Sequence, residues 1–286
     1  MSSERPAVVV SHESDLGRWT QVLYRPDPLL APFVRSIEGF DESTPRAVRR
    51  IEPAAAEAVI IFGFGDPVVV SPTAAAAGTP MSSFVVPLRD RPLYVDFAGS
   101  QAGVQANLTP LGARAILGTP LGDVPGAVDT GEFRPDLDAL ADRLADTRDW
   151  IERCRIVESA LRARVAIAGD PAPQLVAACR AITAGGSVQE VADAVGWSRQ
   201  HLHRRFAREF GHAPKVVHRL VRFGRAADLL GSTDLVDVAT RCGYYDQAHL
   251  SREFREFAGC SPQQFADRRL PDLGGFEDVT FVQDAQ

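Results

Sequence analysis

The sequence predicts an α+β chain of two domains: a mainly-β N-terminal domain carrying a few helices, and an all-α C-terminal domain of two helix-turn-helix units joined by a long helix. Three observations predict it. The length of 286 residues suits two domains better than one. Short β-branched and aromatic runs give way to helical periodicity after residue 108, and the helical part beyond the boundary near Gly169 repeats itself at an offset of 47 residues.

The first part reads as strands. Ala58 to Phe64, Pro67 to Ser71, Phe84 to Pro87, Leu93 to Ala98 and Gly103 to Leu108 are β-forming runs divided by Gly, Pro and Ser, as in an antiparallel sheet. Helices are expected at Leu29 to Ile37 and at Leu111 to Leu117, the second opened by Thr109 as cap and Pro110 as first helical residue. Ser71 to Pro80 is low in complexity and reads as a mobile loop. Phe62-Gly-Phe-Gly-Asp-Pro67 fits no phosphate-loop spacing and reads as a β-turn.

Two helices precede the boundary. Leu137, Leu140, Ala141 and Leu144 share one face, with Asp136, Asp138 and Asp142 placed to favour the start of that helix. Asp149 caps a longer helix to about Ala168, whose apolar face carries Ile151, Cys154, Val157, Leu161 and Val165. Gly169 to Pro173 holds two prolines that disfavour helix at the residue before each, which marks a linker.

The repeat carries the functional information. Val188 to Trp197 is echoed by Leu235 to Tyr244; with one inserted residue, Leu202-His-Arg-Arg-Phe206 is echoed by Leu250-Ser-Arg-Glu-Phe254 and Gly211-His-Ala-Pro214 by Gly259-Cys-Ser-Pro262. In the first copy Ser187 and Glu190 form a capping box, Gly196 ends the helix and Ser198 caps the next. Leu202 and Phe206 then face inward, leaving Arg199, Gln200, His203, Arg204 and Arg208 outward. In the second copy Asp246 is the cap, Leu250 and Phe254 face the core, and Gln247, His249, Ser251 and Arg252 point away. Pro214 opens a helix to about Leu230 that fixes one unit relative to the other.

Charge separates the two parts. The net charge of −6 argues against a chain that coats nucleic acid along its whole length, yet residues 170–270 carry +3 against −5 for residues 1–169 and −4 for the tail from Pro271. Five of the six histidines also lie in the basic block. An anionic partner is therefore expected there, and a protruding helix of this kind fits a major groove.

These residues resemble the AraC/XylS family of bacterial transcription regulators. The resemblance runs from about Leu175 to Leu270 and rests on Gly196-Trp197-Ser198, the two Leu-x-Arg-x-Phe segments, Arg222 to Leu230 and Gly243-Tyr-Tyr-Asp-Gln247. It implies two recognition helices in successive major grooves, with base reading by Gln200, His203 and Arg204 in the first unit and by Gln247, His249, Ser251 and Arg252 in the second. Arginine suits guanine and glutamine suits adenine. Arg199, Arg205, Arg208 and Lys215 are the expected phosphate contacts, which add affinity without choosing sequence. The strand order ahead of the block is similar to the cupin-like domains of that family, which implies effector sensing, dimerisation, or both. The expected division is a cupin-like sensor domain at 1–135, a helical dimerisation or linker segment at 136–169, the DNA-binding domain at 170–270 and a flexible acidic tail at 271–286. Expected partners are double-stranded promoter or operator DNA, RNA polymerase, a small-molecule effector and a second copy of the chain.

Other classes fit less well. Residues 1–169 hold one histidine, His12, which excludes a multi-histidine metal site there, and no Ser or Cys stands in a nucleophile motif. No enzyme activity, cofactor or metal is expected. No run is long enough to span a membrane and no secretory signal is visible, so the expected compartment is the cytoplasm. Cys154, Cys179, Cys242 and Cys260 are well separated and read as reduced, buried residues. The competing readings are a small-molecule-binding enzyme that the C-terminal domain merely targets, and an architectural DNA binder indifferent to sequence and effector.

Overall fold

A computed structural model describes residues 7–14, 17–169, 172–270 and 275–278. The chain begins with a sheet of antiparallel strands. β1 (Ala7–Ser14), β2 (Gly17–Tyr24) and β3 (Val34–Glu52) form a meander, followed by β4 (Ala58–Gly63), β5 (Val68–Ser71), β6 (Thr79–Met81), β7 (Phe84–Val86) and β8 (Leu93–Leu108). β9 (Val128–Asp129) closes the path β1-β2-β3-β8-β4-β7-β9, with β5 paired to both β6 and β8. The long strands β3 and β8 run side by side throughout. Their register breaks between Thr44 and Val48, beside Gly99 at φ +89°, a left-handed value at which glycine alone is unstrained. The outer halves turn away there, so one sheet curls over an interior lined by Val59, Ile61, Val68, Phe84, Val86 and Val95, while Ile60, Phe62, Val104 and Ala106 on the opposite face pack toward the helices.

The expected strands are present and three more precede them. β1 to β3 alternate weakly because polar groups line both of their faces: Arg50 donates to both oxygens of buried Glu42, which also accepts from Gln101. The helix expected at Leu29 to Ile37 does not form. A 3-10 turn over Pro28–Leu30 ends at Ala31, and from Val34 the chain enters β3, where Val34 and Ile37 are buried. Pro32 lacks the N–H to continue a helix, and β-branched Val34 and Ile37 suit a pleat. Ser71 to Pro80 is the connection of the β5–β6 hairpin rather than a wholly irregular loop, with Val70 opposite Thr79. The two runs at 93–98 and 103–108 are one continuous strand, β8.

The helices expected at 111–117, 137–144 and from Asp149 to about 168 follow, with a further short helix between the first two. α1 (Pro110–Leu117) opens on Thr109, whose Oγ1 accepts from Gly112 N at 3.0 Å. α2 (Thr130–Phe133) and α3 (Pro135–Asp146) lead to α4 (Trp150–Ile167), capped by Asp149 and burying Cys154, Val157 and Leu161 completely. The helical region then comprises α5 (Pro173–Ala184), α6 (Val188–Ala194), α7 (Arg199–Phe210), α8 (Pro214–Leu229), α9 (Leu235–Arg241), α10 (Gln247–Phe257) and α11 (Pro262–Asp267).

The two regions share their cores. One cluster runs from Tyr24 and Ile37 in the sheet through α1, α3 and α4 to Cys179, Leu202, Phe206 and Val217. A second gathers Phe223, Phe254, Phe257 and Phe265 around Ala54 of the sheet region. The tail expected to stand free is fastened over its described residues. β10 (Phe276–Glu277) pairs antiparallel with β3, Phe276 facing Ile51, because Phe276 fits a pocket of aromatic rings and is 1% exposed. The linker residues 170 and 171, and tail residues 271–274 and 279–286, lie outside the described residues.

Candidate nucleic-acid interface

Each unit is built by local rules. In the first, Ser187 and Glu190 complete the capping box: Glu190 N donates to Ser187 Oγ at 3.2 Å and Ser187 N to Glu190 Oε2 at 3.4 Å. Gly196 turns the chain at φ +71° and Ser198 caps α7, accepting from His201 N at 3.2 Å. In the second, Asp234 caps α9, Gly243 turns at φ +72° and Asp246 caps α10, accepting from His249 N at 2.6 Å. α6 and α9 are both seven residues long and lie 47 positions apart, the offset of the repeat.

Inward residues lock each reading helix. Leu202 and Phe206 on α7, and Leu250 and Phe254 on α10, have no exposed surface. Burying each such side chain contributes about 1.5–3 kcal/mol. The opposite faces are open: Arg199, Gln200, His203, Arg204 and Arg208 on α7, and Gln247 and Arg252 on α10, are exposed, and Arg204 and Arg252 carry no ion pair among the described residues. Ser251 and Arg205 are half-buried, and Lys215 stands exposed at the start of α8. His249 is committed locally. Its ring lies edge-on to Tyr244 at 5.2 Å and its Nδ1 accepts from Tyr245 N at 3.4 Å. His201, its counterpart in the repeat, packs likewise on Trp197 at 4.8 Å. The sequence did not single out Tyr245, which is 93% exposed just before the α10 cap; a second aromatic after Gly243, absent from the first copy, was the available signal.

The helices are anchored by ion pairs that the sequence also left hidden. Buried Glu253 of α10 accepts from Arg219 at 2.8 Å and Arg222 at 2.6 Å, and Arg219 continues to Glu256. Burial pulls the Glu253 carboxyl up, but the hydrogen bonds from Arg222 and Arg219 outweigh it and hold the group below the usual glutamate value. Arg219 lies over the Phe257 ring and Arg222 over Tyr244. On α7, Glu209 instead accepts from Arg114 of α1 at 2.7 Å.

A profile of the helix-turn-helix domain family matches residues 174–268. The matched stretch takes in both helix-turn-helix units, α6 with α7 and α9 with α10. A chain named as an HTH-type transcriptional regulator, YkgA of Escherichia coli (strain K12), is 34% identical over 103 residues, 35% of this chain and 43% of that one. The HTH-type transcriptional activator RhaS of Enterobacter sp. (strain 638) is 34% identical over 89 residues, 30% of this chain and 32% of its own length. The matched stretch thus spans less than half of either relative. A solved structure of ToxT from Vibrio cholerae aligns over 79% of this chain and 95% of its own at 8% identity and a TM-score of 0.46.

Two spaces lie within or against the sheet. One, of about 140 Å³, lies inside the curled sheet beside Trp19, Glu42, Arg50 and Gln101. Trp19, which lines this space, is 3% exposed, and its Nε1–H has no partner among the described residues. The other, of about 770 Å³, separates the sheet from α5 and α8. Gln21, Glu38, Glu52, Val59, Arg89 and Gln105 border both. Burial lowers the Arg89 guanidinium from its usual value against the opposing pull of Glu52 and Glu57, and its Nε is also without a partner among the described residues. No group of three or more His, Cys, Asp or Glu is arranged to hold a metal among the described residues, and no described helix is long and apolar enough to cross a membrane.

Proposed function

We propose that this chain is a sequence-specific DNA-binding transcription regulator that lays α7 and α10 in successive major grooves. The observation that carries it is the pair of capped helices, each locked from beneath and each presenting an open polar face with an arginine that has no ion pair among the described residues. Arg204 with Gln200 and His203, and Arg252 with Gln247 and Ser251, read base edges; Arg199, Arg205, Arg208 and Lys215 hold phosphates. His249, committed to Tyr244 and Tyr245, shapes the start of α10 more than it reads. α8, at about 1.5 Å per residue over its 16 residues, supplies a rigid spacer of about 24 Å.

The remaining parts have roles in the same reading. Residues 1–135 sense a small polar effector, held inside the sheet where Trp19 Nε1–H and Arg89 Nε await acceptors. Residues 136–169 join that region to the DNA-binding block at 170–270. RNA polymerase is the protein partner, as suits a relative named an activator. A second copy pairs through the edge of β1, which among the described strands pairs with β2 alone and where Val8, Val9 and Val10 are exposed.

The test is selection of fragmented genomic DNA by the purified chain at near-physiological salt, beside an Arg204→Ala/Arg252→Ala variant. Enrichment of promoter fragments that share two short motifs one turn apart, lost in the variant, is the expected result. Uniform weak enrichment, the same for both proteins, would refute sequence reading.

A further inference from the structure

Beyond the matched domain the chain returns to the sheet that it left. Leu270 N donates to Gly275 O at 3.0 Å, Phe276 and Glu277 pair with Ile51 and Arg50 of β3, and Asp278 N donates to Arg49 O at 2.9 Å. Gly275 is pressed against the strand: a Cβ there would lie 2.8 Å from the Ile51 carbonyl oxygen. The Phe276 ring meets Phe265 edge-on at 5.4 Å, Phe265 meets Phe254 at 5.7 Å, and Phe254 meets Phe223 at 4.7 Å. An aromatic row therefore connects the edge of β3 through α11 and α10 to α8. Close by, Ala54 N donates to Phe257 O at the end of α10, at 2.7 Å.

The first unit is held to the same body at different points. Arg114 of α1 grips Glu209 of α7. Gly122 lies under the α7 carbonyls, where a Cβ would come within 2.9 Å of Arg208 O. His212 Nε2, beyond the end of α7, donates to Leu88 O at 3.0 Å. Ala55 and Arg89 form a β-bridge that ties the segment touching the second unit to the segment touching the first. A closed mechanical circuit results: first unit, α8, second unit, sheet, first unit.

Two units joined by one helix can twist relative to each other as that helix bends, whereas two units joined twice cannot. We infer that the N-terminal sheet is a splint that sets the spacing and orientation of the two reading helices, with residues 275–278 as the strap that fastens the second. The inference rests on the DNA reading proposed above. Blocking is not how the strap acts, because Arg204 and Arg252 are exposed while it is docked. It acts by pre-organisation, which lowers the ordering cost of engaging both grooves at once. The strap is also placed to respond to the sheet's interior. Arg50 pairs with Glu277 through its backbone and lines the inner cavity with its side chain.

The experiment uses the full chain and two variants, Phe276→Asp and the milder Gly275→Ala. Backbone hydrogen exchange is followed in β3, α10 and α11, and each protein selects from random duplexes of about 40 base pairs, roughly four helical turns. Faster exchange in α10 and α11 of both variants is expected. Wild type should recover the two motifs at one spacing; the variants should recover several spacings and bind the matched duplex about ten-fold more weakly, with binding to a duplex holding the first motif alone unchanged. Unchanged exchange would show that the strap fastens nothing. Faster exchange with the same spacing, or with tighter binding, would refute the splint. Failure of wild type to select any sequence would refute the DNA reading itself, leaving the exchange data to judge the strap.

Discussion

The two helix-turn-helix units share a pattern and differ in what holds them. Both turn on a left-handed glycine and seat Leu and Phe beneath the reading helix, and in both a histidine packs on the aromatic that follows the turn. In the first unit the anchor is Glu209, tied to Arg114 of the N-terminal region. In the second it is Glu253, tied to Arg219 and Arg222 of α8. The position of Glu253 corresponds to Arg205 in the first copy, so the copies have divergent charge at one repeat position. Repeat copies can keep a backbone and still be addressed to different neighbours, because apolar packing sets the shape while single charges set the docking partner.

The sharpest way to break the comparison is to remove each anchor. Glu253→Gln leaves two arginines facing a neutral group and should lower stability by roughly 3 kcal/mol, whereas Glu209→Gln, whose Arg114 partner is 29% exposed, should cost roughly 1–2 kcal/mol. Urea unfolding of both variants checks this; equal losses would mean that the anchors are equivalent. Acid titration sharpens the same point. Glu253 has a folded value depressed below its ordinary 4.5, so its contribution is fully present above 4.5 and is lost as pH falls through the folded value. The Glu253→Gln variant should therefore lose less stability than wild type between pH 5 and pH 3.

Next in size is DNA reading. Arg204→Ala and Arg252→Ala should each lose ~1–3 kcal/mol of discrimination at their own base pair. α7 carries the denser positive charge, so neutralising Arg199 and Arg208 should flatten the salt dependence of binding by about one unit for each phosphate no longer neutralised, more than neutralising Arg255 on α10. Fluorescence anisotropy across a salt series checks it. The smallest effect tests symmetry. Gly196→Ala and Gly243→Ala each place a side chain at φ near +70° with nothing within 4 Å, and both should cost about 1 kcal/mol from backbone strain alone. Unequal costs would show that the two turns differ in ways their geometry does not display.

Much of the helical region was legible because its signals are local. Ser187 with Glu190, Ser198 and Asp246 announce helix starts, and Leu202 with Phe206 announce an inward face, within a few residues of sequence. β1 to β3 were illegible because their alternation is diluted by groups such as Glu42 and Arg50, which satisfy each other inside the curl. Leu29 to Ile37 misled because Leu29, Leu30, Phe33, Val34 and Ile37 happen to fall at helical spacing, though Pro32 breaks the run. Nothing local pairs Arg114 with Glu209, or Phe276 with Ile51, 225 positions away; those contacts exist only once both regions have folded. Among the expected reading residues, exposure of Arg204 and Arg252 follows from helix periodicity, whereas the local commitment of His249 depends on the turn before it.

The core that runs unbroken from Tyr24 to Val217 has a thermodynamic consequence. Side chains of the sheet, of α4 and of α7 lie in one apolar cluster, so α7 cannot lose its packing while the sheet keeps all of its own. The chain should melt in one transition, and a small molecule that binds the sheet should raise the melting temperature reported by Trp197, at the foot of α7, as much as that reported by Trp19 in β2. Occupancy at one end of the molecule would then be readable as rigidity at the other.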